Sequence, residues 1–199
     1  KRGNRDWEDL SIDDAGHLYI AEIGNNGGRF RETAVYRLDE PDPFKKPDNA
    51  RPLEITHEWR LRFPDQPFDA ESLFIRETTG YVISKYLNAS QAEIYTFDLA
   101  SSEKFQTLKK VATLPIRAPV TGAALSADNA RMALVTGLGI HVFHIDGNIE
   151  GAGSLQPAFV PFLNPSMEAV CFAGDFVVTT CEDKTMAFFA RNLFDTPKK

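Results

Sequence analysis

Acidic residues recur where strand-like segments of this sequence begin. They stand in DWED (residues 6–9), in DAES (residues 69–72) and in SMEA (residues 166–169). Carboxylates that converge on one place raise one another's pKa, so they either share protons or take up a cation. The recurring acids therefore predict a cation site, provided that the fold brings them together.

The predicted cation is Ca²⁺, because several carboxylates together with an amide oxygen form the hard-oxygen donor set that Ca²⁺ prefers over Zn²⁺. The predicted metal ligands are Glu8, Glu71, Glu168 and Glu182, supported by Asp6, Asp69 and Asn25. The alternative is structural. Each acid would then cap loop amides or pair with a neighbouring base such as Lys85 or Arg5, and would hold adjacent segments together.

Three further residues are candidates for contacting a small polar or anionic ligand. Trp7 is close enough to the acids to stack on such a ligand, although packing is the simpler role. Arg29 follows the glycine-rich stretch GNNGG (residues 24–28), which lacks the helix and lysine of a phosphate loop. Lys85 is predicted to form a cross-strand ion pair with Glu71. The alternative for Arg29 is an ordinary surface position.

A metal-dependent phosphoester or ester hydrolase is the alternative function. A bound cation would lower the pKa of a water molecule, and a glutamate would act as the base. The sequence has no Gly-x-Ser-x-Gly elbow and no Walker loop. The four histidines do not cluster with the acids, and no histidine–carboxylate pair is predicted; they are His17, His57, His141 and His144.

The elements that must position these residues are β-strands. Short runs rich in Val, Ile, Tyr, Phe and Thr alternate with turn clusters such as DDAG and ETTG, which is the all-β pattern. Four units of about 50 residues repeat, each with three or four strands, which is typical of propeller blades. The positions aligned between units are Glu8, Glu71, Gly122 and Glu168. The repetition favours a β-propeller over an immunoglobulin-type sandwich.

Propeller topology explains why the acids would meet. The first strand of each blade lines the central channel and the second runs antiparallel beside it, so the start of one and the end of the other share a channel mouth. The turn at DDAG predicts Ile12 opposite His17 and Glu8 opposite Ala21. The last hairpin predicts Glu168 opposite Cys181.

The chain is predicted to be one propeller domain, residues 1–199, with blades at about 5–63, 64–115, 116–163 and 164–199. The proline-rich segment from Pro41 to Pro52 is predicted to be a loop within the first blade. Four blades could close a small propeller, and a five- or six-bladed parent is the alternative. Strand edges left open by a missing blade would then invite pairing with another chain, so a homo-oligomer is a third possibility.

Charge and hydropathy restrict the partners. The net charge is −6, with acids spread along the chain, which argues against nucleic acid as a partner. No apolar run approaches the roughly 18 residues of a membrane span.

The stretch DWEDLSIDDAGHLYIAEIGNN resembles a group of largely uncharacterised bacterial β-propeller proteins. DAESLFIRETTGYVISK, VTGAALSADNARMALVTG and SMEAVCF with VVTTCED resemble further motifs of that group, in the same order. The resemblance implies that Glu8, Glu71, Glu168 and Glu182 are the recurring acids of the family. It also implies distant kinship with esterase-like phytase and SdiA-regulated propellers, some with channel Ca²⁺, and a secreted or periplasmic parent. Glu22 and Asn25 depart from the family's usual aspartates.

Overall fold

The computed structural model describes residues 4–42, 44–45 and 53–195, and these contain sixteen β-strands and two short 3₁₀ helices. In chain order the strands are β1 (Asp9–Ile12), β2 (His17–Glu22), β3 (Glu32–Asp39), β4 (His57–Arg62), β5 (Ala70–Arg76), β6 (Thr79–Ser84), β7 (Glu93–Asp98), β8 (Gln106–Thr107), β9 (Lys109–Thr113), β10 (Val120–Leu125), β11 (Arg131–Thr136), β12 (Gly139–His144), β13 (Ala158–Pro161), β14 (Met167–Ala173), β15 (Phe176–Cys181) and β16 (Met186–Ala190). The 3₁₀ helices are Glu150–Ser154 and Arg191–Phe194. Most of the predicted proline-rich loop, residues 43 and 46–52, lies outside the described residues.

The strands form four small sheets, which are the blades of a four-bladed β-propeller. Their orders are β1-β2-β3-β4-β8, β5-β6-β7-β9, β10-β11-β12-β13 and β14-β15-β16. The innermost strands contact one another in sequence, β1 with β5, β5 with β10 and β10 with β14. The predicted all-β propeller is confirmed.

Two blades depart from the expected four antiparallel strands. The first sheet gains β8, which pairs parallel to β4 although it lies between β7 and β9 along the chain. The fourth sheet has only three strands among the described residues.

The register predicted for the first hairpin is wrong by one residue. Asp9, not Glu8, lies opposite Ala21, and Ile12 pairs with Leu18. The cause is the turn: the Asp13 carboxylate accepts hydrogen bonds of 2.9 Å from the backbone N–H groups of Ala15 and His17. Asp13 therefore pairs with His17, and the connection is shorter than DDAG suggested.

In the other three hairpins a β-bulge shifts the strand pairing by one residue from the alignment of the repeats. The pairing shifts between Ala70 and Ser72, between Val120 and Gly122, and between Met167 and Ala169. The extra residues are therefore Glu71, Thr121 and Glu168. Met167, not Glu168, pairs with Cys181.

Gly122 is consequently not the third blade's counterpart of Glu71, and Thr121 is. A Cβ atom at Gly122 would lie 2.6 Å from the backbone oxygen of Glu168, closer than real Cβ contacts come. The glycine lets β10 approach β14, and the Thr121 hydroxyl donates a hydrogen bond to the backbone oxygen of Met167 across the same boundary. Close packing between blades explains why no acid stands at Gly122.

The core consists of apolar clusters between successive blades. Trp59 and Leu73 are buried between the first and second blades, Phe74 and Phe143 between the second and third, and Val170 in the cluster of the third and fourth. No helix among the described residues has the length and apolarity needed to cross a bilayer.

Candidate functional site

The channel mouth is built from the inner hairpin of each blade. In all four hairpins the inner strand begins, and the next strand ends, at the same end of the blade. Glu71 and Glu168 occupy bulges there. In the first blade Glu8 donates its backbone N–H to Ala21 over 2.9 Å, so Glu8 and Asp9 share one partner residue as in a bulge. The bulges therefore place Glu8, Glu71 and Glu168 at corresponding positions.

Acids of the first two blades converge most closely. A Cβ atom at Gly24 would overlap both Oε1 of Glu8 and Oδ2 of Asp6, so the two carboxylates lie directly over that glycine. Asp69 of the second blade accepts a hydrogen bond of 2.7 Å from the backbone N–H of Asn25, which ties it to the same loop.

Glu71 forms an ion pair with Lys85, as predicted. Glu71 is 5% exposed, and its Oε1 accepts the hydrogen bond from Lys85 Nζ. Its Oε2 is buried and has no hydrogen-bond partner among the described residues, and the same is true of Oδ2 of Asp69. Buried polar atoms are nearly always satisfied, so each of these oxygens calls for a donor or a cation.

The electrostatics of the mouth follow from this crowding. Burial, with the charges of Glu71, Asp6 and Asp69, raises the pKa of Glu8 to about 8. Burial also raises the pKa of Glu71 to about 7, against the opposing effect of Lys85. At neutral pH Glu8 is therefore largely protonated and Glu71 partly protonated.

Glu168 faces this group from the fourth blade. Burial raises its pKa, Lys85 lowers it and Glu182 raises it further. Its carboxylate makes no hydrogen bond or ion pair with the part of the chain that the structure describes. Lys85 is therefore the cation that stands between the acids of the first two blades and that of the fourth.

Asp9 follows Glu8 directly and was not predicted as a site residue. Its Oδ2 accepts a hydrogen bond of 2.7 Å from the backbone N–H of Leu73, and its Oδ1 accepts one of 2.8 Å from Leu10. Burial raises the pKa of Asp9 to about 7. Asp9 joins the first blade to the second, and only its place inside DWED could have indicated it.

The remaining predicted residues stand at the edge of the acidic group: Asn25 reaches it through its backbone N–H, and Glu182 through its effect on Glu168. Asn25 uses its side-chain oxygen to accept a hydrogen bond of 2.8 Å from Phe30, so that oxygen braces its own loop. Trp7 is 48% exposed, and Arg29 and Glu182 are exposed.

The fit of these residues to a metal ion is mixed. Their chemistry suits Ca²⁺, since carboxylate oxygens dominate and two of them are buried without a partner. Within residues 4–42, 44–45 and 53–195, however, no group of three or more His, Cys, Asp or Glu side chains is arranged to hold a metal ion. One ammonium group, that of Lys85, already neutralises part of the charge.

One histidine–carboxylate pair does exist, contrary to the expectation from sequence. Nδ1 of His17 lies 2.8 Å from Oδ2 of Asp13, which also accepts a hydrogen bond from Tyr19. The pair lies in the turn at the opposite end of the first hairpin from the mouth, so it does not contribute to the acidic site.

Sequence reasoning also missed an apolar groove beside the acids. A cavity of about 830 Å³ opens where loops of the second and third blades meet the start of the fourth. Its lining includes Leu87, Leu138, Phe159 and Leu163, together with Glu168. Leucines in turn segments such as KYLN, TGLGI and PFLNP were the available signal, because turns are usually polar.

His141 forms part of the groove wall. Its ring lies 4.6 Å from that of Phe159, centroid to centroid, and its Nε2 is buried without a partner among the described residues. Burial lowers the pKa of His141 to about 4, so the ring is neutral at physiological pH.

Comparisons with known proteins support the fold and no more specific identity. No family model matches the sequence, and no curated protein matches it. A chain of a solved Mitotic Checkpoint Complex is similar at 12% identity and a TM-score of 0.51, over 92% of this chain and 48% of that one. The computationally designed Ika4 protein is similar at 11% identity and a TM-score of 0.48, over 94% and 93%. The chain is thus a β-propeller, and the bacterial family suggested by its motifs stays a prediction.

Proposed function

We propose that this propeller is a binding module that holds a cation, Ca²⁺ in preference to softer metals, at the acidic mouth of its channel. The observation that carries the proposal is Oε2 of Glu71, a buried carboxylate oxygen with no partner among the described residues. An unsatisfied buried acceptor costs about 1–3 kcal/mol, and more when it is charged. A bound cation would remove that cost.

The surrounding residues support the same conclusion. Oδ2 of Asp69 is a second buried oxygen without a described partner, on the same blade. Asp6 and Glu8 supply a further pair of carboxylates over Gly24. Ca²⁺ takes about six to eight oxygen ligands in flexible geometry, so it tolerates a site that side-chain movement must complete.

Lys85 has a defined role in this proposal. Its ammonium group pairs with Glu71 and is the resident counter-charge of the site. A metal ion must share Glu71 with Lys85 or displace it, so Lys85 sets how strongly the acids attract a second cation. The acid and the lysine are expected to act in opposite directions on metal affinity.

Thermal unfolding with EDTA and then with millimolar Ca²⁺ tests the proposal. A ligand of the native state raises stability by mass action, about 2.7 kcal/mol at a hundred times its Kd. We expect Ca²⁺ to raise the melting temperature and Glu71→Gln to abolish the increase. Glu103→Gln, which changes an exposed glutamate, is the matched control. No increase in the wild-type protein would overturn the proposal.

Lys85→Met supplies a test in the opposite direction. It removes the competing charge and keeps most of the apolar side-chain length. We expect this variant to bind Ca²⁺ more tightly than the wild type in calorimetric titration. Unchanged or weaker binding would show that the metal does not use the carboxylate of Glu71.

The hydrolase stays a prediction from sequence. At the mouth, no described Ser, Thr or Cys side chain forms a hydrogen bond with a histidine. The binding function is preferred because it accounts for the unsatisfied oxygens without a further catalytic group. Turnover of generic phosphate and ester substrates that required both Glu8 and Glu168 would favour hydrolysis instead.

A further inference from the structure

The groove beside the mouth combines exposed apolar side chains with a concave shape. Leu87 is 76% exposed, Leu163 80% and Leu138 56%, and Phe159 lines the same cavity at 47%. Monomeric proteins rarely collect exposed apolar side chains in one place unless something binds there. The volume of about 830 Å³ falls within the range of small-molecule sites.

The charged groups on the groove wall differ in whether they already have a hydrogen-bond or ion-pair partner. Lys85 is paired with Glu71, and Arg117 donates a hydrogen bond of 3.2 Å to the backbone oxygen of Ala89. Glu168 has no hydrogen bond or ion pair among the described residues. The charge of Lys85 partly offsets that of Glu168, and the charge of Glu182 opposes this effect.

We infer that the groove binds a small amphipathic organic cation, with its ammonium group at Glu168 and its apolar body along Leu138, Phe159 and Leu163. This inference rests on the negative charge of Glu168 and does not require a bound metal. The apolar walls supply affinity by burying the body of the ligand. The carboxylate supplies selection for a positive head group, because an ammonium group can form an ion pair with Glu168 and a neutral or anionic head cannot.

The neutral ring of His141 fits this assignment. It adds a flat, uncharged surface tilted against the ring of Phe159, and it does not repel a cation. The ligand would thus contact the third blade through its body and the fourth blade through its charge.

Three probes with the same apolar body and different heads test the inference: octylammonium, octanol and octanoate, each below the concentration at which it aggregates. Binding is measured by calorimetry or ligand-observed NMR on the whole chain. We expect octylammonium to bind about two- to fivefold more tightly than octanol, the ratio given by one partly screened ion pair. Octanoate should bind more weakly than octanol.

Two variants test separately how the head group and the apolar body of the probe contribute to binding. Glu168→Gln should remove the preference for octylammonium and leave octanol binding unchanged. Leu163→Gln should weaken all three probes several-fold, and Leu193→Gln, at a leucine that is 57% exposed and outside the groove, should weaken none. Both leucines are exposed, so neither substitution should prevent folding.

Several results would overturn the inference: no binding of any probe, equal binding of all three, or a preference for octanoate. The calcium experiment is read separately. A calcium-dependent increase in melting temperature without probe binding would remove the groove proposal alone. Octylammonium binding without a calcium effect would remove the metal proposal alone.

Discussion

The inner strands of the middle blades and those of the terminal blades have the same position in the fold but different environments. Every residue of β5 is buried except Arg76, and the first four residues of β10 are buried. In β1 the residues alternate between partly buried and exposed, and β14 has two exposed residues. Leu10 and Ile12 of β1 are 60% and 50% exposed.

The comparison separates the strands that are packed on both faces, and so contribute most to stability, from the strands that keep one face exposed to solvent. A strand between two blades is covered on both faces and contributes to two apolar clusters. A strand of a terminal blade is covered on one face. In β1 that face carries Asp9 and Ser11, which add no apolar contacts. Their side-chain oxygens accept hydrogen bonds from the backbone N–H groups of Leu73 and Ile75. The mouth takes Glu71 from a covered strand, and Glu8 and Glu168 from the two terminal blades.

The largest expected effect contrasts the two kinds of strand directly. Leu73→Ala removes a side chain that is 1% exposed and should lower the free energy of unfolding by about 2–5 kcal/mol. Leu10→Ala in β1 should change it by less than about 0.5 kcal/mol. Urea denaturation measures both. Similar losses in the two variants would show that β1 is as well packed as β5.

Asp9 tests the polar contact between the first two blades. Asp9→Ala leaves the buried N–H of Leu73 without its acceptor, and we expect a loss of about 1–3 kcal/mol. Asp9→Asn should recover part of it, because the amide oxygen still accepts the hydrogen bond. If alanine and asparagine are equally stable, the hydrogen bond does not hold the blades together.

The third prediction concerns pH at the boundary between covered and open regions. The pKa of Glu8 rises from 4.5 to about 8 on folding, so its contribution to stability is complete below 4.5 and is lost as the pH rises toward 8. The groups that act on it are Glu71, Asp6, Asp69 and Lys85.

Glu8→Gln should therefore raise stability near neutral pH by about 1–2 kcal/mol, a value reduced to allow for solvent screening of a half-buried group. The melting temperature measured from acidic to mildly alkaline pH should fall less steeply than in the wild type. Glu103→Gln should follow the wild-type curve. A curve for Glu8→Gln that parallels the wild type would contradict the raised pKa.

The smallest effect is expected on the open face of the fourth blade. Phe188 is 60% exposed, so Phe188→Ser should change the free energy of unfolding by less than about 0.5 kcal/mol. Self-association through this face remains a proposal from the exposed strands of the terminal blades. Sedimentation at high concentration should then show a larger species in the wild type than in Phe188→Ser. A monomer in both would exclude association through Phe188.

Much of the fold was predictable because its signals are local. Alternating apolar runs and turn residues indicated the blades, and the spacing of DWED, DAES and SMEA indicated that acids converge. The Glu71–Lys85 ion pair followed from one tight turn and was confirmed. Each of these inferences needs only short-range register and the ring arrangement of blades.

The rest depends on contacts that no single segment specifies. A bulge adds one residue to one strand, so the pattern of Thr121 and Gly122 could not show which of them faces the mouth. Gly122 is required by the Glu168 backbone of another blade. The groove likewise joins Leu87, Leu138 and Leu163 from separate loops, which only the assembled blades bring together.

The parallel pairing of β8 with β4 has a consequence for the order of events during synthesis. Leu61 and Arg62 pair with Gln106 and Thr107, and the Gln106 side chain also exchanges hydrogen bonds of 2.9 and 2.8 Å with the backbone of Asp98. Domains generally fold as the ribosome releases them. The outer edge of the first blade therefore stays unprotected until more than forty further residues have emerged, and the second blade's own chain then closes it. Nascent chains halted before Gln106 keep the edge of β4 unpaired, so they should aggregate and bind chaperones that recognise extended segments more readily than longer chains do.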